Sequence, residues 1–148
     1  MPVSRVFLTR FLQLAAERRF AEAERMLERS RTRARKNEWN KGYFKALSGI
    51  LMAQRSNDDR YLFLPGINPT DEDELKNYRR DFLEHTRNIT HANYDRGFFS
   101  AWNDYMKVLS KLSHEKKKKK IEEIRESQPQ QTAKVQIEYQ KTVQTKLT

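Results

Sequence analysis

The sequence predicts an all-α protein of about five helices, forming a duplicated helix-pair bundle with a basic helical extension and a disordered C-terminal tail. Only four glycines and four prolines occur among the 148 residues. Apolar residues recur at spacings of three and four, and no sustained alternation with period two occurs before residue 133. Both features are typical of helices and not of sheets.

Composition divides the chain into three parts. Residues 1–112 contain all but one of the aromatic residues and are long enough for one compact domain. Residues 113–126 are predicted to be a lysine-rich helical extension. Residues 127–148 are rich in Gln, Thr and Lys, so they bury too little apolar surface to fold alone and are expected to be flexible. Addition of this tail as a strand to a partner's sheet is the alternative.

The first two helices are predicted from a capping residue and from helical spacing. Ser4 can cap a first helix that buries Phe7, Phe11 and Leu14. A second helix is expected over residues 20–36, where apolar residues again recur at helical spacing.

The third helix is expected over residues 38–55, followed by a loop over residues 57–69. Residues 61–64 within that loop are too apolar for a solvated connection, so we expect them to fold back onto the helices. A turn is predicted at Gly66, which follows a proline.

The fourth helix is predicted to open within the acidic stretch 68–73. Thr70 can accept a hydrogen bond from the backbone N–H of Asp73, whose carboxylate can reciprocate, and acidic residues there complement the helix dipole. Capping is therefore favoured over an acidic catalytic site. A fifth helix is expected over residues 94–112, continuing into the lysine segment.

The most informative feature is an internal repeat. Residues 39–47 match residues 94–102 class for class at an offset of 55 residues. The same offset aligns the helices that precede them without a gap. The segments at about 20–55 and 75–110 are therefore predicted to be two copies of one helix pair.

Each copy carries a glycine near the start of its second helix, Gly42 and Gly97. Glycine costs a helix about 1 kcal/mol relative to alanine. Close approach of another backbone can offset such a cost, so we expect these glycines to mark a helix crossing, with the two copies facing each other across a pseudo-two-fold axis. A ligand groove is the alternative.

Residues 15–27, with the sequence AAERRFAEAERML, resemble the turn and second helix of a tetratricopeptide unit. The resemblance covers less than a tenth of the chain, and the offset of 55 residues departs from that family's period of about 34. It implies a helical-hairpin scaffold used for protein contacts. In general texture the chain is also similar to small basic helical proteins of archaeal information processing.

The charge of the chain favours a polyanionic partner. A formal net charge of +10 and a pI near 9.9 suit nucleic acid, an acidic protein surface or anionic lipid. No apolar run approaches the roughly 18 residues that span a bilayer. We therefore expect a soluble, cytoplasmic protein with no membrane partner.

Five cations are predicted to share one face of the second helix, at spacings of seven, four, four and three. Arginine's planar fork matches phosphate oxygens, so this arginine ridge could contact a nucleic-acid backbone. A solvated surface whose charges pair with Glu22 and Glu28 is the alternative. The ridge consists of Arg18, Arg25, Arg29, Arg33 and Lys36.

An uninterrupted run of five lysines follows the predicted domain. Adjacent like charges on a helix repel each other, an arrangement that an external anion explains better than any internal partner. A solubilising tail is the alternative. The run, which we call the lysine segment, consists of Lys116, Lys117, Lys118, Lys119 and Lys120.

No catalytic residue, metal site or cofactor is predicted. The chain has no cysteine, and His85, His91 and His114 lack the carboxylate pattern that would complete a metal site or a triad. No phosphate-binding glycine loop occurs. The sequence therefore favours a protein that is not an enzyme.

These features predict a non-catalytic accessory protein that binds nucleic acid, RNA ahead of DNA, in a ribonucleoprotein or ribosome-associated setting. The alternative is an interaction subunit of a larger nucleic-acid enzyme such as a DNA polymerase, with Trp39, Tyr61 and Phe63 as anchors. A self-associating helical domain is a third possibility, and the oligomeric state stays open.

Overall fold

The computed structural model describes residues 3–56, 66–127, 138–141 and 143–145. All regular secondary structure in these residues is α-helical, which confirms the predicted all-α class. The chain divides into two compact units, Met1–Lys111 and Leu112–Thr148. The long helices are α1 (Arg5–Ala16), α2 (Phe20–Arg33), α3 (Glu38–Ser56), α4 (Glu72–Arg87) and α5 (Asn93–Ser127).

The start of α1 follows the prediction. The Ser4 hydroxyl accepts a hydrogen bond from the backbone N–H of Phe7 at 3.1 Å, which satisfies one of the free donors of the first turn. Phe11 and Leu14 are buried as expected. Phe7 is only half-buried, because its ring lies at the rim and stacks on Phe11 with ring centroids 6.2 Å apart.

The second helix is shorter than predicted. It ends at Arg33, and Ala34 takes an extended conformation with ψ 153°. The Asn37 side chain accepts from the backbone N–H of Asn40 at 2.8 Å, in the first turn of α3. The chain thus leaves helical geometry before Lys36, where the prediction had ended the helix.

The predicted cap of α4 is wrong by one residue. Asp71, and not Thr70, caps the helix by accepting from the backbone N–H of Glu74 at 3.0 Å. The backbone N–H and the hydroxyl of Thr70 instead donate to Oδ1 of Asn68, at 3.0 and 2.7 Å. This turn leaves Asp71 as the last residue before the helix. Gly66 has φ 77°, as a turn requires.

The core of the unit Met1–Lys111 is built from one face of each helix. Aromatic rings of α4 and α5 pack against each other. The centroid of the Phe82 ring lies 6.0 Å from the ring centroids of Phe99 and Trp102. Burying each large apolar side chain contributes about 1.5–3 kcal/mol. The largest fully buried side chains are Trp102, Tyr43, Phe11, Leu8, Leu47, Ile50, Leu75 and Met106.

The two repeat glycines lie at a helix crossing, as predicted. A Cβ atom on Gly42 would collide with the backbone carbonyl of Tyr94, with 2.8 Å to its carbon. A Cβ on Gly97 would meet the carbonyl of Trp39 in the same way, with 2.7 Å to its carbon. The contact is reciprocal, because each carbonyl belongs to the residue three positions before the other glycine. The glycines therefore serve close packing of α3 on α5, while duplication of the helix pair stays a prediction.

A buried hydrogen bond also joins α3 and α5. The Tyr43 hydroxyl donates to Oδ2 of Asp104 at 2.9 Å, and both residues are almost completely buried. Lys107 lies 3.5 Å from the other carboxylate oxygen. Burial, and then the charge of Asp104 and the hydrogen bond to it, raises the pKa of Tyr43 well above its usual value. Burial likewise raises the pKa of Tyr105, against a smaller lowering effect of a hydrogen bond with Gln54.

We predict that Gly42→Ala lowers the free energy of unfolding by about 3 kcal/mol, since backbone atoms of α5 cannot move aside alone. Gly97→Ala is expected to do the same. Gly66→Ala is the control: nothing lies within 4 Å, so only its positive φ costs about 1–2 kcal/mol. Urea unfolding followed by circular dichroism measures all three. A loss at Gly42 no larger than at Gly66 contradicts the close packing.

We also predict that the protein loses stability as pH rises above about 10. In the unfolded chain Tyr43 and Tyr105 ionise there, whereas burial in the folded state raises the pKa of both phenols. Because each unfolded phenol is only half ionised at pH 10, the free energy of unfolding should fall by about 1.4 kcal/mol between pH 9 and 11 for Tyr43, and Tyr105 adds to that fall. Tyr43→Phe should remove the Tyr43 part of the fall and, by removing one of the two donors to Asp104, cost about 2 kcal/mol at neutral pH.

Urea unfolding between pH 9 and 11 measures this fall. Tyr139→Phe, at a tyrosine that is 73% exposed, is the matched control and should leave the fall unchanged. An equal fall in Tyr43→Phe and the original chain contradicts the assignment to the buried phenol.

Candidate nucleic-acid interface

Arginines from two helices meet in one surface depression. Arg25, Arg29 and Arg33 project from α2 at intervals of four residues, and Arg10 reaches the same place from α1. The depression has a volume of about 490 Å³, and we call it the α1–α2 hollow. Its other lining residues are Phe7, Leu14, Glu22, Met26 and Ser30.

The α1–α2 hollow has a strong excess of positive charge. Glu22 is its one lining carboxylate among the described residues, and Arg19 already holds it at 2.6 Å. The hydrogen bond from Arg19 lowers the pKa of Glu22 most, burial opposes it, and the charges of Arg19, Arg25 and Arg10 lower it further. The positive charges of Arg25 and Arg10 therefore act on the Glu22 carboxylate, although neither arginine forms an ion pair with it.

Neither expected partner forms an ion pair with an arginine of the hollow, since Glu22 pairs with Arg19. Glu28 pairs with Arg31 at 2.7 Å, on the other flank of α2. Over the described ranges none of the four arginines of the α1–α2 hollow takes part in an ion pair. Pairing with Glu22 and Glu28, the basis of the solvated-surface alternative, is therefore not how these arginines are arranged.

A second depression lies on the opposite flank of α2. This α2–α3 groove has a volume of about 550 Å³ and is closed at one side by Tyr94 from the first turn of α5. Within the part of the chain that the structure describes, its lining contains no carboxylate. Phe44 and Ala34 supply apolar surface. The lining cations are Arg31, Arg35, Lys36, Lys41 and Lys45.

The structure divides the predicted arginine ridge. Arg25, Arg29 and Arg33 line the α1–α2 hollow, whereas Lys36 lines the α2–α3 groove. Arg18 lies in the turn before α2 with φ 60°, and its guanidinium carbon is 5.3 Å from the centroid of the Phe20 ring. That arrangement, a cation over an aromatic ring, gives Arg18 a local structural partner.

Five of the cations that line the two depressions were not predicted from the sequence. Arg10 lies on α1, and Lys41 and Lys45 lie on α3, so no spacing within α2 could include them. Arg31 is on α2 but outside the predicted ridge, and Arg35 follows the end of α2. A periodicity of cations along α3 is the signal that could have found two of them.

The lysine segment forms part of α5, and its five residues are exposed. It belongs to the unit Leu112–Thr148. Its predicted contact with an external anion stays a prediction.

Of the three predicted protein anchors, the structure describes Trp39. Trp39 is half-buried, and its ring stacks on Tyr43 with centroids 5.4 Å apart, so it contributes to the crossing of α3. Tyr61 and Phe63 lie outside the described residues.

The histidines fall into two groups. Nδ1 of His85 lies 3.1 Å from Nε2 of His91, and the His85 ring stacks on Phe99 at 4.5 Å. His114 is exposed on α5. Over the described part of the chain, no group of three or more His, Asp or Glu side chains is placed to hold a metal ion.

Comparisons with known proteins add no assignment. No family model matches the chain, and neither a curated protein nor a solved structure matches it. None of the described helices has the length and apolar character needed to cross a bilayer. The functional evidence is therefore the charge and shape of this chain's own surface.

Proposed function

We propose that this chain is a non-catalytic, cytoplasmic accessory protein that binds nucleic acid, with RNA in a ribonucleoprotein or ribosome-associated setting as its target. The observation that carries the proposal is the convergence of four arginines in the α1–α2 hollow. The described residues give these arginines no ion-pair partner.

The geometry of α2 suits a linear polyanion better than a single anion. Residues four apart along a helix rise about 6 Å, so Arg25 and Arg33 are separated by about 12 Å along the axis. Each guanidinium can bind a phosphate through two parallel hydrogen bonds. A row of such forks can follow successive phosphates of one strand.

Unneutralised arginines also favour an external ligand. Two like charges 4 Å apart repel by about 1 kcal/mol in water and by more where solvent is partly excluded. This repulsion raises the free energy of the unliganded folded chain, and a bound phosphate backbone reduces it. Counterion release then makes the affinity fall steeply as salt rises.

Recognition of this kind depends on backbone and shape. The α1–α2 hollow offers guanidinium groups and apolar side chains, and an arginine fork binds a phosphate without reading the sequence. Structured RNA is commonly recognised through its phosphates, its 2′-hydroxyls and its shape. RNA is therefore favoured over DNA as the ligand.

We predict that the triple variant R25E/R29E/R33E weakens binding of a fluorescein-labelled RNA hairpin with a single-stranded tail by about 100-fold or more. The reason is that three phosphate contacts become repulsions. The slope of log affinity against log salt should also flatten by about 2. Fluorescence anisotropy at several salt concentrations measures both quantities, and circular dichroism checks the fold.

The matched control is K76E/R80E/R87E, which changes the net charge equally at three exposed cations of α4. We expect it to weaken binding less than about fivefold, as a general charge effect does. Equal losses in the two variants would mean that net charge alone drives binding. If the original chain binds no RNA and one large protein stays bound after nuclease treatment of a native lysate, the polyanion proposal is wrong and the subunit alternative stands.

A further inference from the structure

The α2–α3 groove differs in character from the α1–α2 hollow. It combines five cations with two aromatic residues, Phe44 and Tyr94, in a concave volume of about 550 Å³. Building on the proposed function, we propose that this groove is a subsite for a single-stranded RNA segment. Phosphates contact its cations, and an unstacked base or sugar packs against its apolar side.

The shape of the groove selects against a duplex. Its volume lies within the range of small-ligand pockets, about 300–1,000 Å³. A double helix keeps its bases stacked inside and presents a convex backbone, so it can touch only the rim. A single strand can splay nucleotides outward and place one inside a concave site.

The cations of the groove are available to a phosphate. Arg35, Lys36 and Lys45 take part in no ion pair with any described residue. Arg31 is paired with Glu28 at 2.7 Å and Lys41 with its neighbour Glu38 at 2.6 Å. Both pairs are about half-exposed, and such surface pairs are worth less than about 1 kcal/mol, so a phosphate can compete for either cation.

The aromatic wall is held in place by the helix crossing. The backbone carbonyl of Tyr94 packs on Gly42, which fixes the first turn of α5 beside the groove. The Tyr94 ring is half-exposed, whereas Phe44 is 2% exposed and forms the floor. A rigid, partly exposed ring beside cations is the arrangement on which single-stranded nucleic acids stack.

Comparison with the second helix pair indicates that the fold does not need these cations. Arg96 is the one arginine or lysine at the five equivalent positions, and its Nε donates to the carbonyl of Thr86 at 2.8 Å. There the rings of His85 and His91 pack around Phe99. The residues 55 positions after the groove cations are Thr86, Thr90, His91, Arg96 and Ser100.

Two labelled ligands, an oligouridylate and a blunt RNA duplex, test the subsite by fluorescence anisotropy with the full chain. The groove variant R35Q/K36Q/K45Q is expected to weaken oligouridylate binding about 30-fold and duplex binding less than threefold. The matched control R25Q/R29Q/R33Q removes the same charge from the α1–α2 hollow. It is expected to weaken both ligands by similar factors.

A second variant separates stacking from charge. Tyr94→Leu keeps the net charge and the backbone contact with Gly42, and it should weaken oligouridylate binding about tenfold with an unchanged salt slope and unchanged duplex binding. Thermal unfolding monitored by circular dichroism shows whether each variant retains the fold.

The outcomes separate this inference from the proposed function. If the groove variant weakens the binding of both ligands by the same factor, or leaves oligouridylate binding unchanged, the proposal of a single-strand subsite is wrong, while the proposed RNA binding stands. If the original chain binds the duplex but not oligouridylate, the subsite proposal is likewise wrong and the proposed RNA binding stands. Binding of neither ligand overturns both proposals. A selective loss of oligouridylate binding in the groove variant and in Tyr94→Leu supports the subsite.

Discussion

The close crossing of α3 and α5 is the contact on which the rest of the first unit depends. Gly42 and Gly97 each admit a carbonyl of the other helix where a side chain would collide. This approach lets the Tyr43 hydroxyl reach Asp104 at 2.9 Å in a buried site. A wider separation would leave a buried carboxylate without its donor, so the crossing and the hydrogen bond reinforce each other.

The same crossing helps to shape the candidate site. Tyr94, whose carbonyl lies against Gly42, also lines the α2–α3 groove together with residues of α2 and α3. The groove therefore has one wall that belongs to α5. Because the backbone of Tyr94 packs against Gly42, the position of this residue beside the groove follows from the helix crossing and needs no ligand.

Local features of the fold and the helix crossing were predictable from the sequence, whereas most other features that depend on packing were not. Ser4 as a cap follows from a short-range pattern, and Gly42 and Gly97 as crossing residues follow from the internal repeat. The cap of α4 was misplaced because a turn at Asn68 competes for Thr70. The candidate site was only half predictable, since spacing along α2 cannot reveal which cations its neighbouring helices bring to each flank.

The small number of buried side chains on α2 explains how one helix can carry so many cations. It buries only Ala23 and Leu27, so its apolar stripe is narrow and most of its circumference faces solvent or the two depressions. Arginine side chains there can be exchanged without opening a cavity in the core. The crossing of α3 and α5 contributes buried contacts away from the cations of α2, while the proposed binding surface surrounds α2. Changes to that surface should therefore alter ligand binding far more than they alter the fold.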